Sequence, residues 1–274
     1  MVKEENKKKK RKLKWQFKLI LIVFFLLIYA FFIGTKGVFI KEYKVSSTKV
    51  IEDMHGFKIL QFSDLHYMSS FKKSDVKKMV KKINNAKADM VIFTGDLLNK
   101  KHKFNNEEKD FLTKQLKNIN AEYGKYYITG EDDFEDSSSI LNMAEFTNLD
   151  EAEQIVYVNT DESILLISKK NASKYFDANN DINSFNVLVI HNPNDYDKVK
   201  KYDIDMVIAG HTHNGQINIP YVKDMFIDSK YKKNYQKIGN TRLYINPGMG
   251  TKNINIRLFN HPTMNLYRLN KASN

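Results

Sequence analysis

The 274-residue chain contains no cysteine. Disulfides, cysteine-based zinc sites and thiol nucleophiles are excluded, and so is a lipid-modified cysteine at the amino terminus. Proline is scarce at 4 and glycine modest at 11, which argues against a disordered or fibrous chain. Excess charge is also scarce past the first 44 residues. Residues 1–44 hold 12 Lys or Arg against 3 Glu, so nine of the twelve excess positive charges lie there and the other 230 residues carry three. A nucleic-acid binder concentrates its charge on the folded domain. Here the charge flanks an apolar segment, and no nucleic-acid partner is expected.

What is present begins with that segment. Leu19 to Thr35 is free of charge and 17 residues long, the short end of the range that spans a bilayer. Trp15 and Lys18 at its near edge extend its reach. The run exceeds a signal-peptide core and no small-x-small cleavage site follows, so an uncleaved anchor is expected. Nine basic residues precede it and three (Lys36, Lys41, Lys44) follow it closely. The positive-inside rule then keeps residues 1–18 as a cytoplasmic tail, makes 19–35 a single-pass anchor, and places a domain over 45–274 outside the cell membrane. Hydrophobic content of 42% is ordinary for a globular unit. There is no internal repeat and no linker after residue 45.

Apolar runs and helical spacings alternate along that domain. Strands are expected over Phe57–Phe62, Asp89–Thr94, Lys125–Thr129, Phe185–Ile190 and Ile204–Ala209. A pair of strands is expected in Gln154–Lys169 around a turn near Asp161. Further strands fit Gln216–Ile219, Arg242–Ile245, Ile254–Phe259 and Met264–Leu269. Ser74 reads as the N-cap of a helix carrying Val76, Met79, Val80 and Ile83, and a second helix covers Glu107–Asn120. Asp195–Lys201 reads as a short helix and the polar stretch Asn171–Ser184 as a loop. Strand–helix alternation is a parallel-sheet signature.

The chemistry collects at the ends of the strands, where open α/β sheets place their sites. Asp64 and His66, Gly95-Asp96, His191, and His211 with His213 each follow an apolar run. Alone, an Asp-x-His is usually a turn and Gly-Asp merely ends a strand. In conjunction, four of the seven histidines stand at strand ends beside two carboxylates, a donor set suited to two adjacent divalent cations. His55, His102 and His261 have no such context and read as surface residues.

Taken in order, these strings resemble the calcineurin-like metallophosphoesterases, in the bacterial branch with an amino-terminal membrane segment. The family pattern is D-x-H, G-D, G-N-H-D/E, a lone H, and G-H-x-H. It stands here as Asp64-x-His66, Gly95-Asp96, Gly130-Glu131-Asp132-Asp133, His191 and Gly210-His211-Thr212-His213, followed by Asn214-Gly215-Gln216 where the branch has G-G-Q. The closing run is visible in Asn246–Gly250 and Arg257–Phe259.

The resemblance implies an α/β fold, a four-layer α/β/β/α sandwich of two mixed sheets preceded by one transmembrane helix. It implies two divalent metal ions (Mn, Fe, Zn or Co), with Asp64, His66 and His213 on the first, Asp96 bridging, and His191, His211 and Glu131 on the second. The catalytic side chains would be Asp96, His191 and Asp132. The implied reaction is hydrolysis of a phosphoester or pyrophosphate bond at the outer face of the cytoplasmic membrane. The implied substrate is a phosphorylated small molecule or lipid-linked group. The departure is Glu131-Asp132 in place of Asn-His. Asp132 could be a protonated acid, the substrate could have a leaving group needing no acid, or the chain could be a degenerate metal-binding relative with little catalysis.

Overall fold

A computed structural model describes residues 2–159, 163–179 and 184–272, with side chains from Lys14 onward. It begins with helix α1, Val2–Ile28, which continues through a wider turn, Tyr29–Ile33. Within it Lys14–Ile33 is long and apolar enough to cross a membrane. The following strands are β1 (Phe39–Ser47), β2 (Lys58–Phe62), β3 (Met90–Phe93), β4 (Lys125–Tyr127), β5 (Thr147–Asn148) and β6 (Gln154–Tyr157). They are succeeded by β7 (Ser163–Ser168), β8 (Phe185–Val189), β9 (Met206–Ala209), β10 (Tyr235–Ile238), β11 (Thr241–Ile245) and β12 (Thr263–Lys271). Helices α2 (Lys73–Ala86), α3 (Asn106–Lys117), α4 (Glu135–Met143) and α5 (Lys169–Ala178) connect them.

The strands form two six-stranded sheets, ordered β1-β12-β2-β3-β4-β5 and β10-β11-β9-β8-β7-β6. Both are mixed. In the first, β12 runs antiparallel to β2 while β2, β3, β4 and β5 run parallel. In the second, β7, β8, β9 and β11 run parallel, with antiparallel strands at either edge. Strand β1 lies parallel to β12 over its whole length, Phe39 opposite Thr263 and Ser47 opposite Lys271.

Three apolar clusters mark the interfaces between four layers. Val76, Met79 and Ile83 of α2 and Leu112 and Leu116 of α3 pack on Leu60, Phe62, Val91 and Phe93. Ile59, Met90 and Ile92 meet Val187, Val189, Met206 and Ile208 between the sheets. Ala172 and Phe176 of α5 cover Leu165, Ile167 and Val207. Successive residues of one strand thus serve different layers, which is why the central strands are continuous apolar runs. Gln61 ties the sheets just below their upper edge. Its amide donates to Thr94 Oγ1 and the Ala209 carbonyl, both at 2.9 Å.

The structure departs from expectation in several places. Asn171–Ser184 is not a loop throughout, because its first part is α5, whose two apolar anchors sit four apart among polar neighbours. Gln216–Ile219 and Ile254–Phe259 are not strands. They share one bridge, Ile217 to Leu258, and the Gln216 amide replaces further ladder by donating to the carbonyls of Ile254 and Ile256. Asp195–Lys201 is a 3-10 turn, Pro193–Lys198. The N-cap of α2 is Lys72 and not Ser74. Asp75 reaches back to the Lys72 backbone N–H at 3.1 Å and closes the turn that a capping serine would have closed. The turn near Asp161 lies outside the described residues. Strand β1 begins at Phe39, so the sheet starts ahead of residue 45.

Candidate metal centre

Strands β2, β3, β8 and β9 end at one edge, and each hands over a polar loop there. Asp64 and His66 follow β2, Asp96 follows β3, His191 follows β8, and His211 and His213 follow β9. Asp64, His66, Asp96, His211 and His213 all have φ between +38° and +70°. Left-handed backbone is costly for such residues and gathers at functional sites, because it turns side chains inward at a strand end. Asn214, at φ +51°, uses the same region, which asparagine tolerates well.

The donors converge. Asp64, His66 and His213 each offer one atom within 4.8 Å of the others, and so do Asp64, Asp96 and His191. Asp96 Oδ2 lies 3.3 Å from His191 Nε2 and 3.6 Å from His66 Nε2. His66 and His213 stack with their Nε2 atoms 3.2 Å apart, and His213 Nε2 is 3.4 Å from Asp64 Oδ1. His211 sits edge-on to His191 and brings Nδ1 to 3.6 Å from Glu131 Oε2.

These residues fit a metal. Asp96 Oδ2, His191 Nε2 and His211 Nδ1, which face the other donors, are buried without a hydrogen-bond partner. Buried polar atoms left bare are costly unless something else satisfies them. Burial holds His66, His211 and His213 below the ordinary imidazole range, so their lone pairs are free. Burial, helped by the charge of Asp96, pushes Asp64 up to about 6. Burial would lower His191, but the Asp96 carboxylate 3.3 Å away wins and raises it to about 10. The same contact holds Asp96 well below the carboxylate range against the effect of burial. Protons thus stand in for cationic charge between these carboxylates.

Space around the donors is closed. A Cβ on Gly130 would lie 2.2 Å from Asp96 Oδ1, and one on Gly210 would lie 2.7 Å from Asp64 Oδ2. His191 Nδ1 donates to the Thr94 carbonyl at 2.7 Å, which turns Nε2 to the site. Ser63 donates to Asp64 Oδ2 at 2.5 Å.

Asp133, Lys100, Lys252 and Arg257 take part although the sequence pattern gives them no role, and they surround Asp132 and the ligand loops. Asp133 accepts three backbone N–H bonds at 2.8 Å, from Asp96, Leu97 and Gly130, and so pins the two ligand loops together. Its only sequence signal was the last place of the four-residue motif. Asp132 meets Lys100 Nζ at 2.6 Å and Lys252 Nζ at 3.2 Å. Burial would raise its carboxyl, but those two ammonium groups hold it below the usual range. One carboxylate oxygen of Asp132 also comes within 4.8 Å of donor atoms of His66 and Asp96. Glu131 is half exposed at the rim and accepts from Asn192. Arg257, fully buried, donates to the carbonyls of Pro247, Gly248, Gly250 and Asn260 beneath Asp64. His55, His102 and His261 lie elsewhere, with His102 bonded to Glu108 and His261 to Tyr29.

A cleft of about 590 Å³ opens over this edge. Glu131, His211, His213 and Lys252 line its polar side, and Ile217, Phe226, Ile254 and Ile256 its apolar side.

A sequence profile described as Calcineurin-like phosphoesterase matches residues 57–215. The uncharacterized metallophosphoesterase YkuE of Bacillus subtilis is 27% identical over 251 residues, 85% of each chain. The UDP-2,3-diacylglucosamine pyrophosphatase LpxG of Chlamydia muridarum is 26% identical, over 64% of this chain and 69% of its own. Among solved structures, a dimetal phosphatase from Danio rerio aligns with a TM-score of 0.40 at 11% identity, over 71% of this chain and 88% of its own.

Proposed function

The chain belongs to the calcineurin-like phosphoesterase family, and from that premise we propose a membrane-anchored phosphohydrolase that works with two divalent cations. The observation that carries the reading is the set of three bare, buried donor atoms on Asp96, His191 and His211, beside the convergent Asp64, His66 and His213. Asp64, His66 and His213 would hold one ion, His191, His211 and Glu131 the other, with Asp96 between them. Such ions supply an activated water and the charge that offsets phosphoryl oxygens.

The chain's own residues set what is cleaved. Asp132 stands in the acid position as a carboxylate engaged by two lysines, so it has no proton to give. Lys252 lines the cleft and is positioned to bind a phosphoryl oxygen, with Lys100 balancing the charge of Asp132 behind it. A site without a strong proton donor favours leaving groups that depart as anions. Phosphate departing from a pyrophosphate bond is one, and the Chlamydia relative is named a pyrophosphatase. We take the substrate to be a pyrophosphate or activated phosphoester, lipid-linked or of the cell envelope. The amino terminus lies in the cytoplasm and the catalytic domain at the outer face.

The test is full-length protein in detergent, supplied with Mn and assayed on aryl phosphates, alkyl phosphates and a lipid pyrophosphate. Rates should rise steeply as leaving-group pKa falls, and Asp96→Asn should abolish them and lower bound metal. Two bound metals with no hydrolysis of any substrate would favour the second reading, a metal-binding relative whose acid position Asp132 has closed. Protease added to intact protoplasts should digest the domain, and full protection would reverse the orientation.

A further inference from the structure

The end of the apolar helix does not leave the domain on a free linker. Arg257 donates its backbone N–H to the Ala30 carbonyl at 3.0 Å, and Tyr29 bonds His261 and packs on Phe259 with ring centres 5.5 Å apart. Gly34 lies so close to the Arg257 carbonyl that a Cβ there would stand 1.7 Å from the oxygen. Tyr29 is four residues inside the apolar span that ends at Ile33, a rise of about 6 Å. A side chain packed on Tyr29 therefore sits at the depth of the span and not above it.

Phe259 belongs to a larger apolar surface. Asn218 is bonded to the Leu258 and Phe259 carbonyls, and Gln216 to those of Ile254 and Ile256, which ties residues 216–227 and 254–259 into one body. That body exposes Tyr221 (95%), Met225 (81%), Ile254 (58%), Phe226 (55%) and Phe259 (51%). Such a contiguous apolar face needs a partner. Lysines edge it. Lys223 is close enough to Lys41 for their charges to repel, with Asp224 beside it, and Lys36, just past the helix end, is half exposed and paired with Asp75. Apolar and aromatic tips with a basic collar are the composition of a membrane interface, where lysines meet anionic headgroups.

We propose that residues 217–227 and 254–259 form a second membrane contact, dipping into the headgroup layer of the same bilayer that the apolar helix crosses. The inference rests on the anchor reading above. Continuity with the helix selects the bilayer as the occupant, because a protein partner would have to share the space beside Tyr29 with lipid. The cleft over the metal centre has Ile217, Phe226 and Ile254 in its wall, so its mouth lies in that contact. A phosphate carried on a lipid would enter from the membrane plane with its chains still in the bilayer. Gly215, between His213 and this surface, has φ +70° and packs tightly, since a Cβ there would crowd the Lys223 carbonyl and Phe226 Cβ at 3.0 and 3.3 Å. The membrane contact and the ligand turn are thus packed directly together.

The chain's lack of cysteine makes the test direct. Tyr221→Cys and Met225→Cys are each labelled with an environment-sensitive fluorophore in the full-length protein. The protein is reconstituted in vesicles of phosphatidylethanolamine and phosphatidylglycerol containing lipids spin-labelled near the headgroup. Phe24→Cys, within the span, and Tyr157→Cys, on an exposed edge strand, serve as references. Labels at 221 and 225 should be quenched several-fold more than the label at 157, with blue-shifted emission. If the label at 24 is quenched by lipids spin-labelled deep in the chains while those at 221 and 225 match 157, the second contact is refuted and the anchor survives. If the label at 24 is not quenched either, the anchor reading fails and takes this inference with it.

Discussion

Asp133→Asn isolates the clamp beneath the candidate metal centre. The wild-type carboxylate takes N–H bonds from Asp96 and Gly130 on one oxygen and from Leu97 on the other. The amide keeps one oxygen, which can go on serving Asp96 and Gly130. Its NH2 then faces the Leu97 N–H, donor against donor, and the negative charge is gone. Hydrogen bonds to a charged group contribute about 1.5–3 kcal/mol, and a buried donor left bare costs about 1–3 kcal/mol. With partial relaxation, a loss of about 1–3 kcal/mol is expected. For a domain of this size that lowers Tm by roughly 2–12 °C. The loop bearing Asp96 should loosen with it, so bound metal should fall as well. Thermal unfolding of the metal-free protein reads the first effect, and elemental analysis after metal loading reads the second. Wild-type Tm together with a full metal complement would refute the clamp. Lower metal content at unchanged Tm would show that Asp133 acts through its charge and not by joining the loops.

Gly130→Ala should drive a methyl group into Asp96 Oδ1, which lies 2.2 Å from the ideal Cβ position, and elemental analysis should find metal lost in an otherwise folded protein. Lys252→Met should lower kcat/KM on aryl phosphates by roughly 10²-fold if the ammonium binds the developing charge, and leave metal content unchanged. Metal loading must expel the proton that Asp96 holds on His191. Titration calorimetry near pH 8 in buffers of different ionisation enthalpy should therefore show about one proton released, with apparent affinity rising toward pH 10. In the metal-free protein the raised His191 pKa stabilises the fold fully below the ordinary imidazole range, and that contribution is lost as pH climbs toward about 10. Saturating metal should flatten this part of the stability profile.

The sequence disclosed the central strands because both faces of each are buried, leaving unbroken apolar runs such as Met90–Phe93 and Met206–Ala209. It placed Asp64, His66, Asp96, His191, His211 and His213 at strand ends for the same reason, and those six do meet at one edge. What it withheld depends on pairing at a distance. Strand β1 looks like a mixed polar linker until β12 lies beside it. Helix α5 shows only Ala172 and Phe176 as apolar anchors in a polar stretch. Lys100 and Lys252 are unremarkable among 44 basic residues, and only the folded chain brings them to opposite oxygens of Asp132. Gln216 and Arg257 act by bonding irregular backbone, which leaves no periodic trace.

The pairing of β1 with β12 also orders events in time. The first strand after the apolar helix has its partner 224 residues later, in β12. Residues emerging from the ribosome in sequence would leave β1 without that neighbour until more than two hundred further residues had been made. Contacts that close so long a loop form slowly, and an unpaired strand is prone to association meanwhile. During biogenesis, then, the strand that follows the apolar helix would wait for β12, and that edge of the sheet would be sealed only after the strands between them in sequence had been made.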